Sequence, residues 1–286
     1  MLSCMCGRYA ASRNPDELVE IFEVDPAPRD APVEELRADY NVAPTKKVYA
    51  VLERATPEAD GSADKVGSSG EASGSGGLDA EPSVRRQLRV VRWGLVPSWA
   101  KDPSIGSKMI NARMETVAEK PAYRRAFSRR RCLLPADGYF EWYQPTSEDA
   151  PKGRGGKALK QPYFICPRDG GVLAMAGLYE IWHDKTRADD DDKAWLWTVT
   201  VLTTTAEDSV GRIHDRMPLF VEPDHWSRWL DPNLDDLDLV RDLLVPAAPG
   251  QLQAYPVSTA VNSVRNNGPE LVEPLPPEDV LEGALF

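Results

Sequence analysis

Apolar residues along this chain gather in short runs of strand length more than in long helical stripes. Val48–Leu52, Leu88–Trp93, Arg131–Pro135, Gly138–Tyr143, Tyr163–Pro167, Leu173–Ile181 and Leu196–Thr204 are rich in β-branched and aromatic residues. They predict strands, and Ala136-Asp137-Gly138 predicts a turn between two of them. Helical spacing is sparser. Pro15–Val24 places Leu18, Ile21 and Phe22 on one face, with Asp16 near its start. Glu115–Phe127 reads as helical in part, with Pro121 near a helix start, and Glu207–Ile213 as a short helix leading into His214. Asp224–Leu230 and Leu237–Leu244 are further helices, before a Pro-rich coil at the end of the chain. Many short strands with few helices predict an α+β fold. The expectation is a single domain built on antiparallel, barrel-like sheets with peripheral helices.

Composition changes this picture in two places. Residues 56–83 turn to Gly, Ser, Ala and acids without an aromatic residue. Such a segment lacks the apolar surface to offset its ordering entropy, so it predicts a disordered insertion between two strands of one domain. Residues 145–160 form a smaller Gly- and Lys-rich loop. With 42% hydrophobic residues, the chain of 286 has enough material for a substantial core. No apolar run approaches a membrane span of about 18 residues, and no signal-peptide pattern is evident. Cys4, Cys6, Cys132 and Cys166 show no paired metal-ligand spacing, and Cys132 and Cys166 sit in apolar stretches as core thiols. A cytoplasmic protein with reduced thiols, associated with the nucleoid when on DNA, is the expectation.

Charge adds a contrast. The net charge is −11, which by itself argues against a nucleic-acid partner. Yet residues 85–131 hold thirteen Lys and Arg against Asp102, Glu115 and Glu119, a local excess of ten positive charges. A strand within a Debye length of about 8 Å feels that patch more than distant acids. For Arg129-Arg130-Arg131 alone, a solvated turn before a strand is the competing reading.

Candidate chemistry starts at Met5-Cys6-Gly7-Arg8-Tyr9. If Met5 is the start and is removed, Cys6 leads the chain with an α-amine and a thiol on adjacent carbons. Their reference pKa values of about 8 and about 8.5 leave both a nucleophilic fraction near neutrality. Such a pair condenses with an aldehyde to a five-membered thiazolidine, which an internal cysteine cannot do. Residues 1–5 are therefore expected to be absent from the mature chain or clipped. Further dense blocks follow: Asn41-Val42-Ala43-Pro44, Trp93-Gly94-Leu95-Val96-Pro97-Ser98-Trp99, Asn111-Ala112-Arg113-Met114-Glu115, Pro135 to Trp142, and Ile213-His214-Asp215-Arg216-Met217-Pro218.

In this order the blocks resemble the SRAP family (SOS-response-associated peptidase), from Cys6 to about residue 275. The resemblance implies a sensor of abasic sites in single-stranded DNA, or at junctions with duplex. It acts as a monomer and forms a covalent thiazolidine crosslink, without metal or organic cofactor. Cys6 is then the nucleophile. Glu141 is the carboxylate that orients the terminal ammonium and takes its proton. His214 protonates the sugar ring oxygen to release the aldehyde, a task suited to a group of reference pKa about 6.5. Asn111 holds the thiazolidine or a sugar hydroxyl. Arg8 and Arg113 clamp phosphates with their two-pronged guanidinium, salt bridges to surface acids being their alternative. Trp93 and Trp142 stack on bases, with core packing as the competing role, and Pro44 wedges against a base step. Pro256 to Asn262 is expected to pack near the site. Two other functions stay open. One is a cysteine peptidase or N-terminal-nucleophile hydrolase, including self-removal of the leader; the other is a non-covalent single-stranded nucleic-acid-binding module. A lyase side-reaction is a further possibility for the first reading.

Overall fold

The computed structural model describes residues 7–26, 33–55, 84–145, 151–153, 156, 158–188, 190–206, 212–244 and 250–281. Cys6 and the leader, the 56–83 insertion, half of the 145–160 loop and residues 207–211 of the expected 207–213 helix therefore lie outside the described residues. Twelve described strands make two sheets in one domain. They are β1 (Tyr9–Ala11), β2 (Asp39–Val42), β3 (Lys47–Ala55), β4 (Val84–Trp93), β5 (Asn111–Arg113), β6 (Arg131–Ala136), β7 (Gly138–Tyr143), β8 (Gln161–Pro167), β9 (Leu173–His183), β10 (Trp195–Thr205), β11 (Arg216–Pro218) and β12 (Leu252–Pro256). The helices are α1 (Pro15–Ile21), α2 (Arg124–Arg129), α3 (Trp226–Leu230) and α4 (Leu237–Asp242).

Strands β10, β4, β3, β6 and β9 pair in that order, and β9 pairs back onto β10, so this sheet closes into a five-stranded barrel. β5 and β11 extend it alongside β10. The second sheet stays open, in the order β12-β8-β7-β1-β2. The barrel-like architecture matches the expectation, with one difference. β4 and β5 run parallel to β10.

Alternation along the strands divides the core into layers. Val48, Ala50 and Leu52 of β3 belong with Val91, Trp93, Cys132, Met175, Val199 and Val201 to a cluster that also takes in Tyr9, Tyr139, Tyr163 and Ile165 of the open sheet. Tyr49 and Val51 point the other way, into a cluster shared with the helices. Ala10, Phe140 and Phe164 pack with Val257, Val261 and Leu271 on the far face of the open sheet. Cys132 and Cys166 are both buried free thiols, and burial pushes the Cys132 thiol far up, so Cys132 is no nucleophile near neutral pH.

The 136–138 turn does more than reverse the chain. Ala136 is the last barrel residue, paired with Leu173, and Gly138 the first open-sheet residue, paired with Ala10. A Cβ at Gly138 would fall 2.4 Å from the Phe164 ring and 2.6 Å from the Ile165 carbonyl oxygen, so only glycine lets the chain change sheets here. In α1 the N-cap is Asn14, whose side chain accepts from the Glu17 amide at 2.9 Å. Leu18 and Phe22 are buried as expected. Ile21, the last residue of the helix, is exposed.

Two arginines of the basic 85–131 run belong to this scaffold. Arg86 donates to the Phe22 carbonyl, the Ser227 hydroxyl and Glu53, joining α1, β3 and α3. Arg131, 1% exposed, donates to the carbonyl oxygens of Phe127, Ser128, Trp229, Asp231 and Leu234. The run is thus not one continuous surface for DNA, as its charge alone suggested.

Candidate functional site

The described chain begins at Gly7. β1 pairs antiparallel with β7, Tyr9 opposite Tyr139 and Ala10 opposite Gly138, and the Phe140 amide donates to the Arg8 carbonyl at 2.9 Å. Continued by two residues, this register sets Gly7 opposite Glu141. Gly7 is the residue that follows Cys6 in the sequence.

Paired residues in adjacent strands share a face. Tyr9, Tyr139 and Glu141 thus look toward the barrel, with Tyr163 opposite Glu141 on β8. Glu141 is 1% exposed, and a carboxylate so deep is held by partners rather than by water. Burial, with Tyr143 adding, pushes the Tyr163 hydroxyl up to about 12, so it stays a neutral donor at physiological pH. From the barrel side, Asn111 lies beside Val201, and Val201 belongs to the same inter-sheet cluster. The Tyr123 hydroxyl donates to the Asn111 carbonyl at 3.3 Å, fixing that backbone.

His214 is carried on the turn before β11, between Ile213, also in the inter-sheet cluster, and Arg216, which pairs with Thr205 on β10. Its Nδ1 lies 3.1 Å from the Arg216 amide and 3.1 Å from a carboxylate oxygen of Asp215. A neutral ring with the proton on Nε2 accepts from the amide; a charged ring donates to Asp215 instead. The turn is anchored by Arg216, which is buried and makes a two-pronged pair with Glu115 at 2.6 and 3.0 Å while donating to the Thr203 carbonyl at 2.7 Å. That pair, with Arg216 as the main cause, holds the Glu115 carboxyl below its usual range. Asp215 is thus free of the role of neutralising Arg216, which Glu115 takes.

The remaining sequence candidates separate. Arg8 and Trp142 sit on the opposite face of the open sheet from Glu141. Arg8 Nη1 donates to Asn41 Oδ1 at 2.7 Å and to the Val261 carbonyl at 2.9 Å, and its guanidinium lies 5.7 Å from the Trp142 ring centre. The Trp142 indole donates to Asn262 Oδ1 at 2.6 Å. Pro256 to Asn262, expected near the site, packs on this face, opposite Glu141. Arg113 is exposed at the end of β5 and Pro44 half-buried in the turn between β2 and β3. Trp93 is a correction. It is 0% exposed inside the barrel, edge-on to Tyr9 at 5.1 Å, its indole donating to the Ile110 carbonyl at 2.9 Å. Neither ring face is open to a base, because the period-two pattern of β4 points it inward with Val91.

Asn41 was quoted in its block without a role, and the structure gives it one. Fully buried, it sends Nδ2 to the carbonyls of Val261, Ser263 and Asn266 at 3.0–3.3 Å while its Oδ1 takes Arg8. It ties the C-terminal segment to the start of β1. The signal in the sequence was an asparagine within an otherwise apolar strand block.

Comparison with known proteins places this arrangement. A family model described as SOS response associated peptidase (SRAP) matches residues 5–264. The chain is 35% identical over 94% of its length to the abasic site processing protein YoaM of Bacillus subtilis, covering 98% of that protein. It is 30% identical to YedK of Escherichia coli, also named an abasic site processing protein, over 95% of this chain and all of that one. A crystal structure of a Bacteroides thetaiotaomicron protein superposes with a TM-score of 0.54 at 29% identity, over 66% of this chain and 77% of that one. A Bordetella bronchiseptica protein does so with a TM-score of 0.58 at 22% identity, over 88% of this chain and all of that one, a likeness of fold.

Proposed function

Because this chain belongs to the SRAP family, whose relatives above carry the name abasic site processing protein, we propose that it senses abasic sites in single-stranded DNA and traps them covalently through Cys6. The observation that carries the reading is the β1–β7 register, which brings the residue after Cys6 opposite the buried Glu141. Asn111 and His214 flank the same inter-sheet cluster from the barrel side.

The chemistry follows in balanced steps. His214 gives a proton to the ring oxygen of the closed deoxyribose while the C1 hydroxyl gives its own proton to water; the C1–O4′ bond breaks, leaving the C1 aldehyde and a free 4′-hydroxyl. Glu141 takes a proton from the Cys6 ammonium, and the amine nitrogen adds to the carbonyl carbon. Loss of water gives the iminium, and the Cys6 sulfur then adds to the same carbon as its proton leaves. The net reaction joins amine, thiol and aldehyde into a thiazolidine and releases one water, with no oxidant, metal or cofactor consumed. A site sheltered from solvent favours each proton transfer between fixed groups. Arg113 and Arg8 bound the path of the backbone, Arg113 as an exposed cation and Arg8 through the Asn41–Val261 contact.

An abasic 20-mer incubated with protein verified by intact mass to begin at Cys6, then run on a denaturing gel, is expected to give a shifted band. Cys6→Ala is expected to lose the band and keep non-covalent binding. Glu141→Gln is expected to slow band formation by about 10²- to 10⁴-fold. No band from correctly processed protein sinks the reading. The peptidase in the family's description enters through the leader: five residues precede Cys6, and freeing its amine requires hydrolysis of the Met5–Cys6 bond. Wild-type and Cys6→Ala proteins compared by intact mass separate self-removal, which only the wild type can perform, from removal by another enzyme.

A further inference from the structure

The basic run that the sequence offered as one patch is divided by the fold. Arg86 and Arg131 are built into the scaffold. Arg125, Arg129 and Arg130, on and just after α2, are instead brought against Arg54 near the far end of β3, around a cleft of about 290 Å³ that Tyr179 and Asn233 also line. Arg54 was outside the run and only the tertiary structure adds it.

Counter-charges at this cleft are few. Glu53 is engaged by Arg86 at 2.9 Å, and Glu180 by Arg130. Asp235 reaches Arg129 only at 3.8 Å, with both side chains largely exposed. Among the described residues no carboxylate pairs with Arg54, Arg125 or the neighbouring Arg89. One ring holds Arg54 and its neighbour Arg89. Arg54 and Arg89 lie 5.1 and 4.3 Å from the Trp197 ring centre, and Tyr179 stacks on the same ring at 5.7 Å. Burial lowers the pKa of Arg130 and Arg89; Arg125 and Arg54 lower that of Arg130 further, and Arg54 that of Arg89, the effect of like charges brought close together. Guanidinium groups so placed, ordered beforehand and short of acids in a chain of net charge −11, match phosphate oxygens.

We propose that the Arg54–Arg125–Arg129–Arg130 cleft is a second phosphodiester-binding site, remote from the reaction centre, that holds the DNA backbone away from the lesion. This rests on the reading of the protein as a DNA-lesion trap. β3 gives the scale of the separation from the Arg8–Asn41 end of the open sheet. Lys47 begins the strand next to Lys46, which donates to the Asn41 carbonyl, and Arg54 follows seven residues on, about 24 Å along the strand. At about 3.4 Å per nucleotide of stacked strand, that is some seven nucleotides. A short lesion-bearing oligonucleotide cannot reach both places; a long one can.

The test is fluorescence anisotropy with an intact single-stranded 20-mer and with a 5-mer, on wild type and on R54A/R125A/R129A. For the 20-mer, the variant is expected to bind about tenfold more weakly and with a salt slope shallower by about 2, three phosphate contacts at about 0.7 each. The 5-mer is expected to bind both proteins alike. R54K/R125K/R129K is expected to recover most of the affinity, because the charge returns without the fork. Should the triple alanine variant unfold, R125E on the exposed face of α2 carries the test, with an expected loss of about fivefold. Wild-type affinity and slope in a folded variant overturn the second site and leave the lesion trap standing. Loss of 20-mer binding in the variant, in a protein that never crosslinks the abasic 20-mer, sinks the lesion trap and supports the cleft.

Discussion

The two sheets use buried polar groups in different ways. In the barrel and its helices, Arg131 is enclosed by five main-chain carbonyls from α2, α3 and the chain that follows α3, and no carboxylate joins them. Burial lowers its pKa to about 10, so it still carries its charge near neutrality. On the open sheet, Asn41 is equally buried and also serves three carbonyls, yet its remaining acceptor is given to Arg8, at the strand end next to the candidate nucleophile. Closing a sheet removes its edges, and Arg131, buried beside the closed layer, serves the scaffold. An open sheet keeps strand ends at which a buried polar group can position something that acts. That is why Glu141, Arg8 and Gly7 all belong to the open sheet, while the barrel contributes side chains only from β5 and the β11 turn.

Mutations can break this contrast. The largest expected effect is at Arg131. Arg131→Ala strands several buried carbonyls and is expected to cost about 3–5 kcal/mol, read by chemical denaturation. A loss under 1 kcal/mol would show that water replaces the guanidinium and that the scaffold role is wrong. Asn41→Ala comes next, at about 2 kcal/mol. Hydrogen exchange should localise the loss to residues 257–266 and to β1, where an effect spread over the barrel would contradict the assignment. The Glu115–Arg216 pair is the smallest, because Glu115 is almost half exposed and screened, so Glu115→Gln should cost under about 1 kcal/mol. Glu115 has a lowered folded-state pKa. Its contribution is therefore full above the ordinary carboxylate pKa of about 4.3 and disappears as pH falls through the lower folded value. Wild type and variant should converge in stability in acid; a difference that grows there would reverse the sign and refute the pairing.

Runs rich in β-branched and aromatic residues were legible as strands before the structure: β3, β4 and β6 to β10 all appear close to their expected bounds. The three-residue β1, β5 and β11 and the four-residue β2 were not, because a strand that short has too few positions to show a period. β12 escaped within Pro-rich surroundings; its main-chain bonds to β8, not its composition, make it a strand. Among site residues, Glu141, His214 and Asn111 sit on elements that converge on one inter-sheet cluster. Trp93 does not serve as foreseen, since a tryptophan in a motif block reads the same whether it faces a base or a core. The missed role of Asn41 has the same origin: hydrogen bonds to residues 220 or more positions away leave no local trace.

The order of apolar runs, the glycine at the sheet change and the succession of motif blocks were fixed by local chemistry. Steric limits and alternation act between near neighbours, so the linear chain carries them. Which arginines became scaffold and which stayed at a surface was decided in three dimensions. A guanidinium's fate depends on whether carbonyls, rings or other cations surround it, and those partners arrive from distant parts of the chain only when the barrel closes.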